Sequence, residues 1–282
     1  MRRVRDFRFG PVEGYELGYG PVGPPAMSVF FYVVGSVVVD TAQPHMGRQV
    51  LDILGERALS HVLLTHHHED HSGNAGALAR QFGIPALGHP LTAEKLRAGF
   101  RVRPYQHYVW GRPTRAEVTA YPDRIEVGDL RFLPIHTPGH SKDHTVYLEE
   151  QHGWLFSGDL YLGDRIKFFR SDERLGDQIA SLEKVLTFDF DALLCSHRPR
   201  PKGGRAHLER KLDFLGSLHA TVSEWTRQGL PERAIIRRLK PRGDWKIWWM
   251  TLGNVGFAHL VRSSVRLARG ESAGAMPPPQ PA

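Results

Sequence analysis

The chain has 282 residues, of which 41% are hydrophobic, and it carries a formal net charge of +7. This composition suffices for a substantial buried core, in one large domain or in one domain with an appended unit. No apolar stretch approaches the roughly 20 residues that span a bilayer, which argues against a membrane protein. No apolar signal core follows the basic N-terminus, and a single cysteine, Cys195, precludes an internal disulfide. We therefore expect a cytoplasmic protein.

Strand-like and helix-like patterns alternate through the first hundred residues. Short apolar runs bounded by glycine and polar residues indicate strands, and amphipathic runs between them indicate helices. The turn at Gly35-Ser36 between two apolar runs predicts a hairpin. This alternation predicts an α/β fold of packed layers. In order, the predicted elements are strands at 15–18, 28–34 and 36–39, a helix at 46–56, a strand at 61–64, a helix at 71–80, a strand at 84–87 and a helix at 90–98.

Residues 99–123 form an irregular stretch without a clear helix or strand pattern. The stretch contains Pro104 and Pro113 and is rich in arginine and aromatic side chains. It is compatible with an insertion that lines the entrance to a site and contacts substrate. A solvated loop with its aromatic side chains on the surface explains the composition equally well.

The last third of the chain is basic and mainly helical by pattern. Between Arg198 and Lys246 there are 13 Lys or Arg against 5 Asp or Glu, an excess of 8. With four tryptophans in this region, the charge fits a surface for nucleic acid or for an acidic small molecule. A solvated helix face over buried tryptophans is the alternative. The predicted helices are 173–186, 207–227, 231–239 and 255–268.

The densest group of candidate functional residues is the run Thr-His-His-His-Glu-Asp-His at 65–71. Side chains two apart on an extended backbone share one side, so His66 and His68 converge while the histidine between them points away. If the chain then turns into a helix, Asp70 and His71 face a second position. Imidazole and carboxylate groups in this arrangement suit two adjacent transition-metal ions. A histidine-rich surface loop is the simpler alternative.

Further candidate ligands stand just past the ends of predicted strands. Loops above a rigid sheet commonly carry functional side chains, so we expect these residues to join the histidine cluster. One of them follows a tight Pro-Gly turn that aims its side chain. They are His140, Asp159 and His197.

The combined pattern, His-x-His-x-Asp-His followed by a lone His, a lone Asp and a last His, resembles that of the metallo-β-lactamase superfamily. The similarity spans about residues 28–197 and implies an αββα sandwich, here with a small helical C-terminal unit. It also implies two divalent metal ions. One ion would be held by His66, His68 and His140, the other by Asp70, His71 and His197, and Asp159 would bridge them.

The resemblance also implies a hydrolytic chemistry. A water shared by two divalent ions loses a proton near neutral pH and attacks a carbonyl or phosphorus atom. Zinc is the expected metal because the ligands are rich in histidine, although manganese or iron suit the same set. We assign Asp70 and Asp159 an additional catalytic role in proton transfer. Asp40 matches the family's acidic position that orients a ligand histidine, with an ordinary turn aspartate as the alternative.

His144 follows His140 at a distance of four residues. It is a candidate for orienting substrate or for supporting a ligand, and a structural role is the alternative. The resemblance predicts a catalytic domain at 1–200, while helical pattern and composition predict a helical C-terminal unit at 201–269 and a disordered tail at 270–282. The sequence gives no indication of oligomeric state.

Three functions stay open, because one metal scaffold serves many reactions. The first is hydrolysis of a small ester, thioester or lactone, as in hydroxyacylglutathione hydrolases, whose Ser-Gly-Asp-Leu segment resembles residues 157–160. The second is single-strand endoribonuclease activity, because residues 137–144 resemble lactamase-like endoribonucleases and the basic region would bind RNA phosphates. The third is a redox role like that of flavodiiron proteins. We predict a hydrolase acting on a small-molecule acyl substrate, with RNA as the alternative.

Overall fold

The computed structural model describes residues 1–241 and 244–271. The strands are β1 (Arg2–Phe9), β2 (Val12–Tyr19), β3 (Ser28–Val34), β4 (Val37–Val39), β5 (His61–Leu63), β6 (Ala86–Gly88), β7 (Thr119–Ala120), β8 (Ile125–Val127), β9 (Leu130–His136), β10 (Thr145–Glu149), β11 (Trp154–Gly158) and β12 (Ala192–Cys195). The helices are α1 (Gly47–Leu54), α2 (Glu69–Ser72), α3 (Ala75–Phe82), α4 (Pro90–Ala98), α5 (Pro104–Val109), α6 (Leu175–Val185), α7 (Gly204–Arg227), α8 (Glu232–Leu239), α9 (Asp244–Met250) and α10 (Phe257–Ala268). The tail predicted at 270–282 lies outside the described residues from residue 272 onward.

The strands form two sheets. The first has the order β1-β2-β3-β4-β5-β6-β7 and the second has the order β12-β11-β10-β9-β8. In the first sheet the pairs from β1 to β4 are antiparallel and those from β4 to β7 are parallel. In the second sheet only β11 and β12 are parallel to each other among the described strands. The antiparallel pair of β3 and β4 around Gly35-Ser36 confirms the predicted hairpin.

Strand β3 shows how the layers are built. Successive side chains of a strand point to opposite faces of its sheet. Val29, Phe31 and Val33 pack in one core with residues of α1, α3 and α4. Tyr32 and Val34 pack in another core with residues of the second sheet. Because β3 is apolar at nearly every position, it has to be covered on both faces.

A third core lies on the outer face of the second sheet, beneath α6, α7, α8 and α10. Leu155 of β11 belongs to this core, while its neighbours Trp154 and Phe156 face the first sheet. The layers therefore follow in the order helix, sheet, sheet, helix, which confirms the predicted α/β sandwich with a helical C-terminal region. The predicted boundary between 1–200 and 201–269 stays a prediction, and the helices beyond it share a core with the second sheet.

Some elements differ from the sequence-based expectation. The stretch at 99–123, expected to be irregular, contains α5 and β7, and neither β1 nor α9 was predicted. Strand β1 is an edge strand whose charged side chains are mostly exposed, so it carries no apolar pattern. The predicted helices of the C-terminal third begin within three residues of the observed starts. No helix in the described parts of the chain is long and apolar enough to cross a membrane.

Candidate metal centre

The candidate ligands meet at one edge of the sheet pair, where several strands end. Strand β5 ends at Leu63 and leads into residues 65–71. Strands β11 and β12 end next to Asp159 and His197, and their parallel pairing places these ends side by side. His140 lies in the connection between β9 and β10. Residues far apart in sequence are thus brought together on loops over a rigid scaffold.

The first group of donor atoms comes from three histidines. Nδ1 of His68 lies 2.7 Å from Nε2 of His66 and 3.0 Å from Nε2 of His140. Burial, followed by nearby positive groups, lowers the pKa values of His66 and His68 well below the usual histidine value. Both rings are therefore neutral, which is the form in which an imidazole nitrogen offers a lone pair to a metal ion.

The second group contains Asp70, His71 and His197. Oδ2 of Asp70 lies 3.7 Å from Nε2 of His71 and 3.5 Å from Nε2 of His197. Helix α2 begins at Glu69, so the chain turns between the extended residues of the first group and those of the second. This turn allows one short run of sequence to contribute to two neighbouring groups.

The carboxylate of Asp159 lies between the two groups. Its Oδ2 is 3.3 Å from Nε2 of His140. Its Oδ1 is 3.5 Å from Nε2 of His71 and 3.4 Å from Nε2 of His197. Burial alone would raise the pKa of Asp159, but the facing imidazoles hold that pKa well below its usual value. The carboxylate is therefore charged, with one oxygen towards each group.

Asp40 holds the ring of His71 from behind. Its Oδ2 lies 2.7 Å from Nδ1 of His71, and its oxygens accept hydrogen bonds from the backbone N–H and the hydroxyl of Thr65. The backbone of Asp40 has φ 59°, a left-handed conformation that aspartate tolerates better than most residues. Through Asp40, Nε2 of His71 is directed towards Asp70 and Asp159.

Other candidate ligands are held in the same way, by a contact on Nδ1. Oε1 of Glu173 lies 3.3 Å from Nδ1 of His140. Nδ1 of His197 donates to the backbone oxygen of Ser28 across 2.7 Å. The sequence analysis missed Glu173 as a site residue, because nothing in its local sequence pairs it with a histidine 33 positions earlier. Such contacts fix the ring orientation and leave Nε2 free to face the site.

His144 supports Asp159 through the backbone. Its Nδ1 lies 2.8 Å from the hydroxyl of Thr137, and its Nε2 accepts the backbone N–H of Asp159 across 3.0 Å. Burial lowers the pKa of His144 to about 3, so the ring is neutral and able to accept. Of the roles predicted for His144, this geometry fits the support of a candidate ligand.

Helix α5 lies beside the candidate ligands. The ring centre of Trp110, which follows α5, is 6.2 Å from that of His197, and Trp110 is buried. Burial raises the pKa of Glu69 to about 7, and the neighbouring amide of Gln106 opposes this rise. The hydroxyl of Tyr105 accepts from Nδ2 of Asn254, in the turn after α9. This part of residues 99–123 therefore flanks the site, whereas the arginines on either side of α5 are exposed.

The lone thiol is not part of the site. Cys195 is buried in the outer core, and burial raises the pKa of its thiol to about 12. Its Sγ accepts the backbone N–H of Arg198 across 3.1 Å. Cys195 is therefore a packed core thiol.

The arrangement fits divalent metal ions. Within the described residues, Nε2 of His71 and Oδ1 of Asp159 are buried without a hydrogen-bond partner, although buried polar atoms are normally paired. Imidazole and carboxylate donors together suit zinc and similar ions. Three sets of donor atoms lie within 4.8 Å of one another, namely His66, His68 and His140; His66, His71 and Asp159; and Asp70, His71 and His197.

Comparison with known proteins identifies the family of this chain. The profile of the metallo-beta-lactamase superfamily matches residues 6–197. A hydroxyacylglutathione hydrolase from Bdellovibrio bacteriovorus is 30% identical over 105 residues, which cover 37% of this chain and 36% of that protein. An atrochrysone carboxyl ACP thioesterase from Claviceps purpurea is 34% identical over 129 residues, which cover 46% of this chain and 35% of that protein. The matches thus span little more than a third of the length of these curated relatives.

Solved structures share the fold at low sequence identity. A metallo-beta-lactamase from Pontibacter korlensis matches with a TM-score of 0.60 at 17% identity, covering 76% of this chain and 99% of that one. A metallo-beta-lactamase family protein from Thermus thermophilus matches with a TM-score of 0.59 at 19% identity, covering 91% of this chain and 92% of that one. At these identities the likeness concerns the fold alone.

Proposed function

Because this chain belongs to the metallo-beta-lactamase superfamily, we propose that it is a metal-dependent hydrolase of a small ester, thioester or lactone. A thioester is the substrate class that we favour. This substrate class agrees with the names of two relatives, a hydroxyacylglutathione hydrolase and an ACP thioesterase. Water would add to the acyl carbon, the carbon–sulfur bond would break, and an acid and a thiol would leave.

The position of Asp159 is the observation that carries this proposal. Its two oxygens face different groups of donor atoms, at 3.3 Å from His140 and at 3.4 Å from His197. We assign His66, His68 and His140 to one divalent ion, Asp70, His71 and His197 to a second, and Asp159 to both. When bound, two such ions supply a hydroxide at neutral pH and polarise the oxygen of a substrate carbonyl.

The other residues keep this arrangement rigid. Asp40 and Glu173 hold the rings of His71 and His140, and His144 holds the backbone of Asp159. Preorganised groups spend little free energy on reorientation during the reaction. We assign to the carboxylates of Asp70 and Asp159 the transfer of a proton to the departing group.

We propose zinc as the resident metal, with manganese or iron as the alternatives that the same ligands accommodate. We also propose a reducing, cytoplasmic location, in keeping with a single and buried thiol.

Metal analysis combined with turnover tests the proposal. We expect about two metal ions per chain by mass spectrometry, and thiol release from an acyl thioester that stops after chelation and returns with zinc or manganese. Cleavage of a labelled single-stranded RNA without thioester turnover would favour the endoribonuclease alternative. Protein that binds no metal, even after incubation with these ions, would contradict the proposal.

A further inference from the structure

A cavity of about 520 Å³ opens beside α4 and α5, and no candidate ligand lines it. Its apolar wall includes Leu96 at the end of α4 and the half-buried ring of Phe100. Its polar wall is made of arginine side chains and a threonine hydroxyl. The lining residues are Leu96, Ala98, Gly99, Phe100, Arg101, Arg112, Pro113, Thr114 and Arg115.

The charge of this cavity is uncompensated. Arg101, Arg112 and Arg115 are exposed, and no acidic residue lines the cavity in the described part of the chain. None of the three forms an ion pair with another described side chain, whereas the neighbouring Arg97 pairs with Glu117 at 3.1 Å. Three guanidinium groups around one cavity repel each other in the free protein. An anion of high charge would relieve this repulsion.

The cavity lies close to the candidate metal centre. The ring centre of Phe100 is 5.0 Å from that of His67, and the ring centres of His67 and His68 are 4.7 Å apart. His67 itself is held by Asp143, at 2.9 Å from its Nδ1. Phe100 thus connects the cavity wall to the ligand cluster through two successive ring contacts.

The side chains that line the cavity indicate the chemical class of its ligand. Arginine binds phosphate oxygens through two parallel N–H groups, and a flat aromatic ring offers a stacking surface to a base. We propose that this arginine cavity, lined by Arg101, Arg112 and Arg115, binds the phosphorylated nucleotide carrier of an acyl thioester substrate. This proposal rests on the proposed thioesterase function and adds the class of its substrate, a thioester of the coenzyme A type.

Binding of coenzyme A and of pantetheine, which lacks the nucleotide and its phosphates, tests the cavity without any turnover. By calorimetry on the full chain, we expect coenzyme A to bind at least about tenfold more tightly than pantetheine. Substitution of Arg101→Gln, Arg112→Gln and Arg115→Gln together should abolish this difference. A matched control, with Arg233→Gln, Arg237→Gln and Arg266→Gln on exposed positions of α8 and α10, should retain it.

Equal affinity for the two compounds would overturn the proposal. An equal loss of affinity for coenzyme A in the cavity variant and in its control would also overturn the proposal, because the effect would then arise from net charge. Binding of a single-stranded RNA through the same three arginines, without binding of coenzyme A, would also overturn it and would assign the cavity to nucleic acid.

Turnover separates this proposal from the function on which it rests. The cavity variant should raise KM for acetyl-coenzyme A by about tenfold or more, with kcat unchanged, and should leave turnover of S-acetylpantetheine as in the wild type. If coenzyme A binds through the three arginines and no thioester is hydrolysed, the proposed function is wrong and the cavity assignment stands. If the variant hydrolyses acetyl-coenzyme A as well as the wild type does, and S-acetylpantetheine likewise, the cavity assignment is wrong.

Discussion

Oδ2 of Asp40 lies 2.7 Å from Nδ1 of His71, a candidate metal ligand, and both side chains are buried. Asp40 follows β4 and His71 lies in α2, which follows β5, so the contact links the segments after two neighbouring parallel strands of the first sheet. It leaves Nε2 of His71 facing Asp70 and Asp159. The orientation of a proposed ligand is thus decided by a residue 31 positions away.

We expect Asp40→Asn to weaken metal binding about 10- to 100-fold while leaving the fold intact. The amide keeps the shape of the side chain but removes the charge that fixes the ring of His71. Competition with a chromophoric chelator measures the affinity. Asp52→Asn, at an exposed position paired with Arg48, serves as the control and should bind metal like the wild type. Unchanged affinity in Asp40→Asn would show that the contact is structural only.

Asp159→Ala should lower the metal content from about two ions per chain towards one, because the carboxylate faces both groups. Thioester turnover should fall by at least about a hundredfold, since loss of a residue that merely supports a ligand already costs up to that factor. Metal analysis and thiol release measure the two effects on one sample. Asp189→Ala, at an exposed position, is the control. Full activity in Asp159→Ala would be incompatible with the two-metal arrangement.

Gly158 precedes Asp159 with φ +47°, and a Cβ there would lie 2.8 Å from the side chain of Thr65 and 2.9 Å from Nε2 of His144. We expect Gly158→Ala to lower the free energy of unfolding by about 3 kcal/mol or more, from backbone strain and steric overlap together. Gly10 has φ +55° with no atom near its Cβ. Gly10→Ala should therefore show the strain alone, about 1 kcal/mol.

Urea unfolding of the two glycine variants gives both values. The difference between them isolates the effect of the crowded environment. Gly158→Ala should also weaken metal binding, because Thr65 and His144 contact residues of the candidate centre. Equal destabilisation in both variants would contradict the close approach at Gly158.

Lys211 is buried on α7 and donates to the backbone oxygen of Leu160 across 2.5 Å. Burial lowers the pKa of Lys211 from 10.5 to about 8. Between these two pH values the unfolded chain binds more protons at this site than the folded chain, so the free energy of unfolding should rise with pH in that window. Across this window the free energy of unfolding should rise by about 3 kcal/mol. This stabilisation is lost as the pH falls from 10.5 through about 8.

Lys211→Met should remove this rise, because methionine does not titrate. Denaturant unfolding at a series of pH values from about 7 to about 11, which brackets both pKa values, measures the slope. The slope is a safer readout than the absolute stability, since the variant also loses a hydrogen bond. Lys202→Met, at an exposed position, should keep the slope of the wild type. A slope that persists in Lys211→Met would mean that another group causes it.

Local sequence carries much of the fold. The continuous apolar run of β3 and the buried runs of β11 and β12 predicted strands correctly, because a strand covered on both faces demands apolar side chains at successive positions. The histidine run at 65–71 follows a strand and enters a helix, as its spacing predicted. Strand β1 carried no such signal, because its side chains are largely exposed and its pairing with β2 uses backbone groups that every sequence possesses.

By itself, the sequence determined the layered α/β class and the donor types of the candidate centre, because strand periodicity and ligand chemistry are properties of short segments. Only the tertiary structure decided which distant groups support those donors. Glu173 at His140, the Ser28 oxygen at His197 and Trp110 beside His197 all depend on contacts between remote segments. The uncompensated charge of the arginine cavity likewise depends on the fold, which leaves these side chains without an acidic neighbour in the cavity lining. Such pairings follow from how the sheets and helices pack, and no local pattern encodes them.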